Sequence, residues 1–255
     1  MEFRLLDSNE KRFYGDYRMT SMIANPGILG GGSGSNNETL SMKQAMKIVS
    51  ELNRIMTSLK TTIENKDGEF INKLSKVWED KNAVDFVLKH EKSMHEMIDN
   101  LNKNMSTFVE TVKNIAEAYS KAGGMNLSMT EMAQKLAINV PKDVIKEFFG
   151  DGNGDDFGFK DPSKGADQVL DAFQELVTSL EKAISDAINQ IKSINAFGNR
   201  NVQMNLAQSA GDMVSILKEN VNQNKKMIKE SVDATAQGYT KIGSSAETSA
   251  KISAN

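Results

Sequence analysis

The longest regular pattern in the chain is a repeat of apolar residues between Val84 and Tyr119. The apolar residues recur at alternating intervals of three and four, and Glu91 occupies one position of the same series. Neither glycine nor proline interrupts the stretch. This spacing is typical of a coiled-coil seam, and it predicts a helical rod of roughly 54 Å that a second long helix must cover. The apolar seam residues are Val84, Val87, Met94, Ile98, Leu101, Met105, Phe108, Val112, Ile115 and Tyr119.

A second seam lies in the last third of the chain and predicts a helix over 201–232. Asn224 occupies a core position in it, where a polar residue often fixes register or oligomeric state. We expect this helix to pack antiparallel on the first rod within one chain. The seam residues are Leu206, Met213, Leu217, Val221, Asn224 and Ile228.

Shorter patterns complete the predicted fold, which is mainly α: an elongated antiparallel helical bundle or coiled coil with an N-terminal helical hairpin and a small irregular insertion. A third long helix is expected over 165–194. Two apolar runs predict the N-terminal hairpin, because Asn65–Gly68 interrupts their spacing. The expected organisation is a disordered export or linker segment at 1–38, the helical hairpin at 39–80, the bundle at 81–124 and 165–242, a small mixed linker at 125–164 and a flexible tail at 243–255.

Composition and charge narrow the classes of function. The net charge is -3, so the chain has no overall basic field for nucleic acid. Cysteine is absent, which excludes disulfides and thiolate metal sites. No apolar run reaches the ~18 residues that a membrane span needs, and the N-terminus lacks the apolar centre of a secretory signal. The sequence therefore indicates either a cytosolic protein or one exported without such a signal.

Few residues suggest chemistry. His90 and His95 lie five apart rather than the four that places two imidazoles on one helix face, so we expect two exposed helix residues. Asp151–Asp155 begins like a calcium loop, but the glycine and glutamate required at the sixth and twelfth positions are missing, which favours a polar turn. Trp78 is expected to anchor the core at a turn. We predict no enzymatic activity and no catalytic, cofactor or metal residues.

One short motif resembles a known family. Val140–Lys146, followed by a Gly- and Asp-rich turn, is similar to the linker of the hydrophilic translocators of type III secretion, which form the needle tip or its filament. The motif positions are Val140, Pro141, Asp143, Val144 and Ile145. The resemblance implies a secreted structural virulence protein, extracellular or on the bacterial surface, that supports translocon assembly and effector delivery. Implied partners are further copies of itself, the needle subunit and the hydrophobic translocators, with a secretion chaperone as a further candidate.

An alternative resemblance is to the small helical-hairpin proteins of type VII secretion, which carry Trp-x-Gly between two helices. Trp78-Glu79-Asp80 and Phe197-Gly198-Asn199 occupy such places, although Asp80 and Asn199 replace the glycine. Tyr119-Ser-Lys-Ala-Gly recurs as Tyr239-Thr-Lys-Ile-Gly, which a tandem of two hairpins would explain. Placement of the two long seams in separate hairpins of equal size would favour this alternative. A cytosolic coiled-coil adaptor is the third possibility, because seams alone do not name partners.

Overall fold

The computed structural model describes residues 39–125 and 158–253, and these residues form four helices. Helix α1 is Met42–Ser75, α2 is Lys81–Ala122, α3 is Gly165–Ser193 and α4 is Arg200–Ser253. Each helix packs against two others, in the cyclic order α1, α2, α4, α3. The prediction of a mainly α helical bundle is confirmed.

Side-chain contacts fix the helix directions. His90 of α2 meets Asn224 of α4, whereas Asn104, further along α2, meets Ser209 near the start of α4, so these helices are antiparallel. Lys73 near the end of α1 pairs with Glu175 of α3, and α1 and α3 are likewise antiparallel because Arg54 reaches Gln190. Since α1 is also antiparallel to α2 across a short turn, α2 and α3 run in the same direction. The chain therefore leaves α2 at one end of the bundle and begins α3 at the other.

Helix starts follow from local hydrogen bonding. Ser41 and Gln44 form a capping box at α1, in which the Ser41 hydroxyl accepts from the Gln44 N–H and the Gln44 side chain accepts from the Ser41 N–H. Asp80 Oδ1 accepts from the Ala83 N–H at 2.7 Å at the start of α2. Asn199 Oδ1 plays the same part at α4. These side chains satisfy amide groups that have no partner within the helix.

The predicted hairpin within 39–80 is wrong, because α1 is one continuous helix through Asn65–Gly68. Lys66 pairs with Glu69 on the outer face, while Asp67 points inward and is 1% exposed. Asp67 thus occupies a core position between two buried apolar residues, Ile63 and Phe70, and does not end the helix. A buried side-chain contact across the bundle outweighs the weak helix propensity of this run.

The tail predicted over 243–255 is helical in its described part, because the α4 backbone continues to Ser253. No proline interrupts 243–253, so nothing forces the helix to stop. The type III motif residues Val140, Pro141, Asp143, Val144 and Ile145, and the turn Asp151–Asp155, lie outside the described residues.

Candidate functional site: the interface between two helical hairpins

The described helices form two hairpins, and a short turn joins the two helices of each. The first hairpin, α1 with α2, turns at 76–80 and has helices of 34 and 42 residues. The second hairpin, α3 with α4, turns at 194–199 and has helices of 29 and 54 residues. The turn of each hairpin lies at the opposite end of the bundle from the other, because α2 and α4 are antiparallel and so are α1 and α3. The helices pack more extensively between the two hairpins than within each hairpin.

The sequence-predicted seam residues lie at this interface. On α2, the central seam positions are buried together with Glu91, whereas Val84, Ile115 and Tyr119 are only partly buried and pack against the core. Every seam position predicted on α4 is buried, including the polar Asn224 at 2% exposure. The buried apolar members on α2 are Val87, Met94, Ile98, Leu101, Met105, Phe108 and Val112, and those on α4 are Leu206, Met213, Leu217, Val221 and Ile228.

A polar cluster interrupts the apolar core and joins three helices. His90 of α2 is fully buried, which makes the expectation of an exposed histidine wrong, whereas His95 is exposed as predicted. His90 Nε2 lies 2.6 Å from Asp67 Oδ1 of α1, and His90 Nδ1 lies 2.7 Å from Asn224 Oδ1 of α4. This cluster, together with Glu91 and Ser93 of α2 and Asn220 of α4, is called the core polar cluster below.

The amide side chains of α4 extend the cluster along the seam. Asn220 Nδ2 donates to the carbonyl and hydroxyl oxygens of Ser93 at 2.8 and 2.9 Å. Asn224 Nδ2 donates to Ser93 Oγ and to the Asn220 carbonyl, each at 3.0 Å. The Ser93 hydroxyl in turn donates to Gln223. These directed bonds allow only one alignment of α2 on α4.

A second polar contact ties α4 to the turn of the first hairpin. The indole N–H of Trp78 donates to Thr235 Oγ1 at 3.2 Å, and Asn82 Nδ2 donates to the same oxygen at 3.0 Å. The Thr235 hydroxyl donates to Asp80 Oδ2 at 2.7 Å, while the other oxygen of Asp80 caps α2. Trp78 is 0% exposed and anchors the core at the turn.

The segment before α3 covers this end of the bundle. Glu79 donates its N–H to the Gly158 carbonyl and Lys160 donates to the Val77 carbonyl, so that Phe159 forms one antiparallel bridge with Trp78. The ring of Phe159 packs on Trp78 at a centroid distance of 5.8 Å. Tyr239 of α4 stacks on Phe159 and donates its hydroxyl to the Phe159 carbonyl at 2.9 Å. The turn of the first hairpin is thus held by the segment before α3 and by α4.

The turn of the second hairpin uses left-handed backbone. Phe197 has φ 53° and Gly198 has φ 78°, and Asn199 then begins α4. Phe197 is a non-glycine residue in the left-handed region, and its N–H is held by the side chain of Asn195 at 2.8 Å. Phe197-Gly198-Asn199 therefore stands at the turn of its hairpin, as Trp78-Glu79-Asp80 does at the other.

The second helices of the two hairpins share part of a burial pattern. Some buried residues of α2 have a buried counterpart on α4 at an offset of 120 positions, the offset of the Tyr119 and Tyr239 motifs, whereas the counterparts of Ile98 and Met105 are exposed lysines. The matching buried pairs are Phe86 with Leu206, Met97 with Leu217, Leu101 with Val221, Phe108 with Ile228 and Val112 with Val232. Two helices with seams of similar spacing are expected to share such a partial match, so the echo remains the five-residue motif.

The chemistry available at the interface is packing and hydrogen bonding. The His90–Asp67 pair has the spacing of an acid–base dyad, but both side chains are enclosed and no substrate can reach them while the bundle is closed. The described residues contain no group of three or more histidine and acidic side chains arranged to hold a metal. Within the same residues, no helix is both long and apolar enough to cross a bilayer.

Spacing on α2 could have revealed His90. It lies four residues after Phe86 and four before Met94, on the buried side of the helix. Its partners could not be found in this way, because Asp67 and Asn224 are far from it in sequence.

No family model, curated protein or solved structure matches the chain.

Proposed function

We propose that this protein is a structural export protein of the helical-hairpin class, two hairpins in one chain, similar to the hairpin proteins of type VII secretion. The observation that supports this most strongly is the placement of the two long seams in separate hairpins of comparable size. The three-residue motifs at the two turns add to it. The proposed place of action is outside the producing bacterium or on its surface.

In this arrangement each hairpin covers the apolar face of the other, which a separate partner protein would otherwise have to cover. A single two-helix hairpin leaves one apolar side uncovered, and here α2 is covered by α4 and α1 by α3. A protein built in this way has its apolar faces satisfied within one chain. Its proposed role is therefore mechanical, as an exported and folded helical unit.

The needle-tip hypothesis is the second candidate, and one observation favours it. The rod α2 packs antiparallel on α4 within a single chain, as that hypothesis requires. Two features depart from it: α1 is one helix rather than a shielding hairpin, and α3 is a full-length member of the bundle. Under this candidate the partners are the needle subunit, the hydrophobic translocators and further copies of the protein.

An export assay in the native host decides between the two. The protein is measured in culture supernatant from the parent strain, from a strain without a functional type VII apparatus and from a strain without a functional type III needle, with a cytosolic protein as the lysis control. We expect loss of secretion only in the first mutant. Loss only in the needle mutant would select the tip hypothesis, and retention in the cells of every strain would refute both.

Deletion of residues 2–20 provides a second arm of the same assay. The needle route uses the N-terminus as its leading end, so the tip hypothesis expects the deletion to abolish secretion. The hairpin proposal expects secretion to persist, because it attributes export to the folded helical part of the chain.

A further inference from the structure

We propose that the core polar cluster is a proton-operated lock between the two hairpins: it holds α2 against α1 and α4 while Glu91 and His90 carry their protons, and it loosens the bundle when either proton is lost to water. The lock is argued from the geometry of the cluster. It does not depend on the proposed function, and purified protein is enough to test it.

Hydrogen-bond directions place a proton on each nitrogen of His90. The side-chain nitrogen of Asn224 points to the Asn220 carbonyl, which can only accept, so the Asn224 oxygen must face His90 Nδ1. His90 Nδ1 must therefore donate. Its Nε2 lies against Asp67 Oδ1, which as a carboxylate oxygen can only accept, so we assign Nε2 as a donor as well. A ring with two donors is an imidazolium.

A second proton is needed between the two acids. Oδ2 of Asp67 and both carboxyl oxygens of Glu91 are buried without a hydrogen-bond donor among the described residues. Burial raises the pKa of Glu91, and so do the charge of Asp67 and a side-chain hydrogen bond with it. One proton on Glu91, donated to Asp67, satisfies an oxygen on each side, whereas two ionised carboxylates facing each other in the core would repel.

With both protons in place the cluster carries no net charge. His90 supplies one positive charge, Asp67 one negative charge, and Glu91 is neutral. His95 of the same helix also acts on Glu91 and lowers its pKa. The contribution of α4 to the cluster is uncharged and comes from Asn224 and Asn220. Helix α3 contributes Phe173, whose ring packs on Phe70.

Loss of either proton leaves an uncompensated negative charge inside the bundle. Burial, and then the charge of Asp67, raises the pKa of Glu91 to about 7, against the opposing effects of His90 and His95. Burial lowers the pKa of His90, but the charge and hydrogen bond of Asp67 and the hydrogen bond of Asn224 outweigh it, so that the pKa is raised. The lock therefore works close to neutral pH.

The His90 ring contacts aromatic side chains that link it to the other helices, so a change in its position alters packing beyond the cluster. The His90 ring lies between Phe70 of α1 at 5.2 Å and Phe86 of α2 at 5.6 Å, measured between centroids. Phe70 packs on Phe173 of α3 at 6.0 Å, and Phe86 stacks on Trp78 at 6.1 Å. A rearrangement of His90 would therefore change side-chain packing in all four helices and at the first turn.

The sign of the pH dependence follows from these directions. The pKa of Glu91 is 4.5 in the unfolded chain and about 7 in the folded protein, so the folded protein binds this proton more tightly. The free energy of unfolding therefore decreases as the pH rises from about 4.5 through about 7. The raised pKa of His90 acts in the same direction at higher pH. Both groups make the folded protein most stable in mild acid.

The test compares Glu91→Gln with wild type in the full-length protein, and the matched control is Glu219→Gln on the exposed face of α4. Urea unfolding is followed by circular dichroism from about pH 5.5 to about pH 8.5 at constant ionic strength. For the wild type and the control we expect the unfolding equilibrium constant to rise by about tenfold or more over this range. The amide introduced by Glu91→Gln donates to Asp67 at every pH, so this variant should have a flatter profile. Coincident profiles for all three proteins, or a wild type that gains stability with rising pH, would overturn the proposal.

Nuclear magnetic resonance of the histidine rings gives an independent measurement that needs no change in the cluster. The chain has two histidines, and His95→Gln assigns the signals. We expect both ring nitrogens of His90 to be protonated at about pH 7, above the usual midpoint of about 6.5 for histidine. A neutral His90 ring at about pH 6 would overturn the proposal even if Glu91→Gln did not fold.

Discussion

Replacement of Thr235 by valine is the sharpest test of how α4 is joined to the first hairpin. Valine keeps the shape of threonine and its helix propensity, but it removes the hydroxyl that bonds Trp78, Asn82 and Asp80. Asn82 and Asp80 keep a bond to each other at 3.3 Å. Trp78 loses the acceptor for an indole N–H that is buried with the rest of the side chain.

The expected loss in the free energy of unfolding depends on the polar groups that lose the Thr235 hydroxyl. An orphaned buried donor costs about 1–3 kcal/mol, and loss of the bond to the Asp80 carboxylate adds to this, so we expect Thr235→Val to reduce the free energy of unfolding by about 2–3 kcal/mol. At about 2–4 °C per kcal/mol for a chain of this size, the melting temperature should fall by roughly 4–12 °C. Urea unfolding followed by circular dichroism measures the loss directly.

Thr240→Val on the same helix is the matched control, because its hydroxyl is exposed and bonds only the carbonyl of Ala236 in its own turn. The Trp78→Phe background supplies a second control. Phenylalanine has no N–H to orphan, so Thr235→Val should cost about 1 kcal/mol less there. Equal losses from Thr235→Val and Thr240→Val, within about 0.5 kcal/mol, would refute the reasoning.

Three further outcomes are expected from the same structure. Leu217→Asp buries an unpaired charge in the α4 seam and should cost about 3–5 kcal/mol, whereas Leu88→Asp, at a position 51% exposed, should stay near neutral in urea unfolding. Gly158→Ala should destabilise more than Gly124→Ala in thermal melts: both glycines have positive φ, but only at Gly158 would the new Cβ collide with the Tyr239 phenol. Cleavage at a protease site placed in the connection between the hairpins should leave both fragments in one peak on size-exclusion chromatography, and their separation would contradict the interface described here.

The repeating seams made most of the fold predictable. Heptad spacing places a residue on a helix face without knowledge of its partner, so α2 and the seam of α4 followed directly from the sequence. The same rule fails at Asn65–Gly68, where the polar run predicts a break in the helix. Asp67 is polar and yet belongs to the core, because its partner is a buried histidine rather than water. A one-letter division into apolar and polar residues cannot make that distinction.

The core polar cluster was not predictable for a related reason. His90 meets Asp67 and Asn224, which are 23 and 134 residues away. Spacing along one helix relates His90 to His95, which faces outward. Contacts between distant segments depend on the topology of the two hairpins, and that topology was one of several alternatives that the sequence left open.

The polar groups of the interface also explain how two apolar seams select a single alignment. A seam that repeats every seven residues would tolerate a slip of one heptad, because apolar contacts are not directional. Such a slip would separate His90 from Asn224 and Ser93 from Asn220, and would leave buried donors and acceptors without partners. It would also remove Thr235 from Trp78 at the turn. Two polar contacts eleven residues apart on α4 therefore enforce one register.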